Sequence, residues 1–164
     1  MRKPTNDDAE LLLDLYDIRR DPELRRARAW LLAEFKPTTW ADLKSRYLSH
    51  VEEDRWYRMV TSYWEMVGSI VNRGLLDPGL FFDHTGEDIV TWERIRGLVP
   101  DARADIRPTY LMQFERLVEA HQAYRKRTNA AALKATGGPG RNGRSARPRA
   151  RAKAGARRRK TAAR

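Results

Sequence analysis

The sequence predicts an all-α fold, a compact bundle of about five to six helices followed by a disordered basic C-terminal tail. Three observations lead there. Apolar residues recur at threes and fours from Leu11 to His121, the spacing that lines one face of a helix. No stretch alternates long enough to read as a strand, and no internal repeat is visible. The charge is also segregated: 33 Lys and Arg oppose 22 Asp and Glu, yet residues 128–164 hold 12 basic residues and no acidic one. The body, residues 1–127, is therefore almost neutral, with 21 basic and 22 acidic residues. The net charge of +11 belongs to the tail, which makes it an appended arm rather than a basic fold.

The elements follow in order. Asn6, Asp7 and Asp8 offer caps for a first helix reaching Arg20, with Leu11, Leu12, Leu15 and Ile18 on one face. Asp21-Pro22 restarts the chain, because Asp accepts from a free N–H and Pro suits the first helical position. Leu24, Ala27, Leu31 and Phe35 carry this second helix to a stop near Lys36-Pro37. Thr39 and Asp42 resemble a capping box that opens a short third helix to about His50. Trp56, Met59, Val60, Tyr63, Trp64, Val67, Ile70 and Val71 form the broadest apolar face. That helix is expected at the centre of the core, with Gly74 just beyond its end. Asp77-Pro78 opens a short helical segment through Phe82, and a further helix runs from about Glu87 to Leu98, interrupted by Pro100. Pro108 starts or kinks the last helix, whose stripe is Tyr110, Leu111, Phe114, Leu117, Val118 and His121 and whose end lies near Arg127.

Three sets of segments stand out: Glu10 to Tyr16 with Ile18-Arg19-Arg20, Trp64 to Gly68 leading to Val71 to Asp77, and Trp92 to Ile95 with Phe114 to Leu117. In these the body resembles a family of small bacterial all-helical domains of uncharacterised function. The resemblance covers about Ala9 to Tyr124 and leaves the tail outside. It implies a helical fold and no assigned chemistry. Some relatives carry an N-terminal membrane helix; no such segment is seen here, and a cytoplasmic protein with no membrane span is expected. The N-terminus also lacks the apolar stretch of a signal peptide.

Chemistry-bearing patterns are few. The chain has no Cys, which removes disulfides, thiolate metal sites and Cys nucleophiles. A di-iron bundle needs Glu three residues before a His, but Tyr47, Phe81 and Val118 precede His50, His84 and His121 at that distance. Asp77, Asp83, His84, Glu87 and Asp88 form a carboxylate-rich stretch without the spacing of a calcium loop, and they read better as helix-start residues. Ile70-Val71-Asn72-Arg73-Gly74-Leu75-Leu76 superficially resembles the end of a winged-helix recognition helix, but the helix before it reads as core and no wing strands follow. No phosphate loop or nucleophile elbow occurs. Neither enzymatic activity nor a cofactor is expected.

The tail is the one candidate binding segment. Its cations Arg141, Arg144, Arg147, Arg149, Arg151, Lys153, Arg157, Arg158, Arg159 and Lys160 are spread among Ala, Gly and Pro. They suit nucleic acid or another polyanion without sequence preference, because neutralising phosphates needs no fixed geometry. The tail has no aromatic residue, so it has no platform for base stacking. As a flexible coil its 37 residues would span roughly 30–35 Å. The alternative is a tail that only solubilises or docks an acidic protein, with the body meeting a protein partner or a second copy of itself.

Overall fold

A computed structural model describes residues 2–48 and 50–136, and all regular structure among them is helical. Eight α-helices follow in order: α1 (Asn6–Arg20), α2 (Pro22–Ala33), α3 (Trp40–Arg46), α4 (Val51–Asn72), α5 (Pro78–His84), α6 (Glu87–Ile95), α7 (Val99–Asp105) and α8 (Met112–Ala135). A single 3-10 turn, Arg96–Leu98, joins α6 to α7. The all-α expectation holds, and the surplus over five to six comes from the seven-residue helices α5 and α7.

Local capping sets most boundaries. Asp21 accepts from the N–H groups of Glu23 and Leu24 at 2.9 and 3.0 Å, with Pro22 beginning α2. Thr39 Oγ1 accepts from Asp42 N–H, but the Asp42 carboxylate turns to Thr38 N–H, so the box is only half closed. Asp77 caps α5 through Leu80 N–H. Beyond α4, Gly74 has φ +73°, while the Gly74 and Leu75 N–H groups donate to Val71 and Ile70 carbonyls. This is a full Schellman ending, which an L side chain would strain.

Several expectations need correction. Thr5, rather than residues 6–8, caps α1, in a reciprocal box with Asp8. Ile18 stays 47% exposed, because α1 rests on α2 through a narrower face than its pattern suggests. The third helix ends at Arg46, not near His50, and α4 starts at Val51. Pro100 does not merely interrupt α6; it is the second residue of α7, within the first turn, where no backbone N–H is needed. Pro108 neither starts nor kinks α8, since it lies in the turn before it. Finally α8 continues to Ala135, so residues 128–135, expected in the tail, are helical.

The core forms around α4. This 22-residue helix packs most extensively on α8 and α2 and buries Tyr57, Val60, Tyr63, Trp64, Val67 and Val71. Trp56, Met59 and Ile70 sit at the margin of that face. On one side Trp64 stacks on Phe114 at 5.8 Å between ring centroids, and Trp92 meets the same Phe114 edge-on at 5.1 Å. On the other side Trp30, Phe35, Tyr47 and Tyr57 cluster at 5.3–5.5 Å. Such large rings contribute area and preferred geometry together.

α8 is received by a bracket on α4. Glu65 accepts from the Gln113 and Phe114 N–H groups at 3.2 and 2.8 Å, supplying the cap that Leu111 cannot. Three residues on, Gly68 lies against the Gln113 carbonyl so closely that a Cβ would collide with it. Asn72 Nδ2 donates to that carbonyl and to the Gln113 side chain, both at 3.0 Å. The spacing of three and four puts all three residues on one stripe of α4. Leu111 enters with φ 52°, a strained conformation for leucine, and its side chain is buried.

Candidate functional site

The ten candidate tail cations lie outside the described residues. What is described is the helix that leads to them. In its first half α8 buries Phe114, Leu117, Val118 and His121. After His121 every residue through Thr136 is exposed except the half-buried Tyr124. The last acid is Glu119, and Arg125, Lys126, Arg127 and Lys134 follow it on the helix. The point of departure is pinned. Tyr124 Oη donates to Asp83 at 2.7 Å, and Arg125 donates to the Thr85 carbonyl at 2.8 Å. Arg125 can lie there because Gly86 has no side chain, since a Cβ would meet the guanidinium. Beyond Arg125, the described side-chain hydrogen bonds of Thr128 and Thr136 return to their own helix.

The carboxylate-rich stretch is taken apart by the fold. Asp77 caps α5 while its own N–H donates to Asp8 at 2.8 Å. Asp83 meets Tyr124, and His84 Nδ1 lies 2.8 Å from the Leu80 carbonyl. Among the described residues no three His, Asp or Glu side chains converge as metal ligands would. Asp88 and His121 share a hydrogen bond of 2.7 Å, with neither side chain exposed at all. The Phe82 ring stacks on His121 at 4.6 Å. Asp88 Oδ1 and His121 Nε2 are buried without partners. This pair ties α6 to α8, and its burial keeps substrates away from it.

Two ion clusters join parts of the chain far apart in sequence, one of them built on the local Thr5–Asp8 box. Asp8 is buried, and accepts from Arg2, the Thr5 backbone and hydroxyl, and Asp77 N–H. The Arg2 guanidinium, with the Thr5 and Asp77 amides, holds its carboxyl well below the usual range. Glu87 accepts from both Arg19 and Arg28, and Arg28 also donates to the Arg19 carbonyl at 2.9 Å. Burial raises the Glu87 pKa, but the bonds from Arg28 and Arg19 outweigh it and leave it lowered. The partners lie 59 and 68 residues away in sequence, so no local spacing announces them.

A cavity of about 620 Å³ lies between α4 and residues 106–113 and includes Trp40, Tyr57, Met66, Ile106 and Tyr110 in its lining. Tyr110 Oη donates to Tyr57 Oη at 3.1 Å. Burial pushes the Tyr57 hydroxyl well up and raises Tyr110 too, so both remain protonated near neutrality. Beside these groups the lining also includes the charged side chains Asp54, Arg58, Glu65 and Arg107.

The chain belongs to a family described as a domain of unknown function, DUF4760, which matches residues 4–121. The match covers the packed body through His121 and stops one turn short of Tyr124 and Arg125, where α8 leaves it. No curated protein and no solved structure matches the chain. No helix among the described residues is long and apolar enough to cross a membrane.

Proposed function

We propose that the protein is a non-enzymatic polyanion-binding module, in which the helical body holds one end of a cationic segment that attracts nucleic acid without reading its sequence. The observation that carries this is the run of sign along α8 and beyond. After Glu119 the chain has 15 Lys and Arg and no acid, and the first of these cations stand on a helix leaving the body. Eleven of them lie in residues 137–164. Cations concentrated at one end of a near-neutral body draw a polyanion to that end. Counterion release supplies affinity whatever the base sequence.

The test compares duplex DNA binding by the full chain and by a chain stopped after Thr136, which keeps α8 whole. If about six charges engage, log K falls against log salt with a slope of about −5 for the full chain. The shortened chain should bind far more weakly, with a slope reduced to that of the few helix cations. Equal affinities, or a full-chain slope near zero, would overturn the reading.

A further inference from the structure

Two concavities of different chemistry meet where α1 turns into α2. One is an open cleft of about 510 Å³ lined by Arg19, Arg20, Arg25, Arg28 and Tyr16. The other is a groove of about 340 Å³ whose walls include Leu12, Leu15, Tyr63, Trp64 and Phe81. Tyr16 and Arg19 line both, so the two are adjacent.

The cleft is short of negative charge. Glu87 pairs with Arg19 and Arg28 together. Arg20 and Arg25 have no acidic partner within 4.0 Å among the described residues, and Arg25 donates to the Arg20 carbonyl. The neighbouring Asp21 directs an oxygen to the start of α2. Two of the four guanidinium groups thus share one carboxylate, and the other two have none. Other arginines of the body, such as Arg94, Arg107 and Arg116, also have no acid within 4.0 Å among the described residues; what sets this cleft apart is that four arginines line it together. Like charges held this close favour an anion between them, and the planar forks of arginine suit a phosphate or carboxylate head.

The groove adds the second half. Leu13 and Tyr16 stand exposed at its rim, 65% and 51% accessible. Trp64 Nε1, Thr85 Oγ1 and Arg19 Nε belong to residues of its lining and are buried without a hydrogen-bond partner. Its volume lies at the lower end of ligand pockets, about 300–1,000 Å³.

We propose that the joined cleft and groove bind an amphiphilic anion, with its phosphate or carboxylate head among Arg19, Arg20 and Arg25 and its aliphatic chain along Leu12, Leu13 and Trp64. The site is distinct from the C-terminal cations and independent of their proposed role. The experiment is calorimetric titration of the full chain with octyl phosphate below its micelle-forming concentration, beside inorganic phosphate and anionic phospholipid vesicles. Octyl phosphate should bind on the order of 100-fold more tightly than inorganic phosphate, because part of the chain leaves water. The double variant Arg20→Ser, Arg25→Ser leaves the Glu87 cluster intact and should weaken octyl phosphate about tenfold. Leu13→Asp, at an exposed rim position, should remove most of the advantage over inorganic phosphate. Circular dichroism checks that both variants keep wild-type helicity. Unchanged octyl phosphate binding in both folded variants would put it elsewhere on the chain and overturn the proposal. So would equal affinity for inorganic phosphate, or binding confined to vesicles.

Discussion

The two halves of α8 are one continuous helix built on opposite terms. Its first half is held by tertiary structure: Glu65 caps its amides, Gly68 lets its backbone approach, and Phe114, Leu117, Val118 and His121 are buried. Its second half carries cations and small residues, and is exposed beyond Tyr124. It persists because extending an existing helix adds a hydrogen bond per residue without a new nucleation cost, and because Ala130, Ala131, Ala132 and Ala135 have the highest helix propensity. The lesson is that a helix's end and a domain's edge are different things. The family match stops at residue 121, one turn before the last contacts with the body at Tyr124 and Arg125, while the helix runs to Ala135.

Substitutions can break that contrast. The largest effect is expected from Phe114→Ala, which empties a site with no exposure between Trp64 and Trp92. It should cost about 3–5 kcal/mol in urea unfolding, and a loss below about 1 kcal/mol would mean that the first half of α8 is not part of the cooperative core. Gly68→Ala comes next. The added methyl meets backbone rather than a flexible side chain, so about 1–3 kcal/mol of overpacking is expected. A neutral result would mean that α4 and α8 separate easily at the bracket.

Acidification probes the ion clusters that fix α1 and α2 against this frame. Glu87 and Asp8 have lowered pKa values in the fold. The stability they contribute is full above the ordinary carboxylate pKa, about 4, and is lost as pH falls from there through their folded values. Thermal melts from pH 7 down to pH 3 should show this decline, and Glu87→Gln should make it shallower. An identical pH profile for the variant would remove Glu87 from the account. The smallest effect belongs to Ala131→Gly. Global stability should change by less than about 0.5 kcal/mol, although glycine costs a helix about 1 kcal/mol locally. Faster amide exchange confined to residues near 131 would sharpen the contrast between the halves. A global loss above about 1 kcal/mol would instead tie the second half to the fold.

The legible parts of this molecule are those settled within four residues. Asp21-Pro22, Thr39, Asp77 and Gly74 mark real boundaries because a cap bond closes within one turn. The broad stripe of α4 also correctly signals the centre of the core. Pro108 misleads because α8 begins where Glu65, 48 residues earlier, receives its amides. The end of α8 misleads because loss of apolar periodicity marks loss of packing, and an alanine-rich segment continues without it. Of the candidate sites, the C-terminal cations are visible as composition alone. The four-arginine cleft is not, since Arg19 and Arg20 close one helix, Arg25 and Arg28 lie on the next, and either pair alone reads as an ordinary solvated face.

By itself, then, the sequence determined the helical class, most helix starts, the central role of α4 and the separation of charge between body and C-terminus. These rest on short-range hydrogen bonding, 3.6-residue periodicity and simple counting. Only the tertiary structure decided that Glu65, Gly68 and Asn72 receive α8, that Asp88 and His121 are buried together, and that Arg19, Arg20, Arg25 and Arg28 converge beside an apolar groove. Each of these joins residues on different helices, and how two helices meet depends on the complementarity of both surfaces at once.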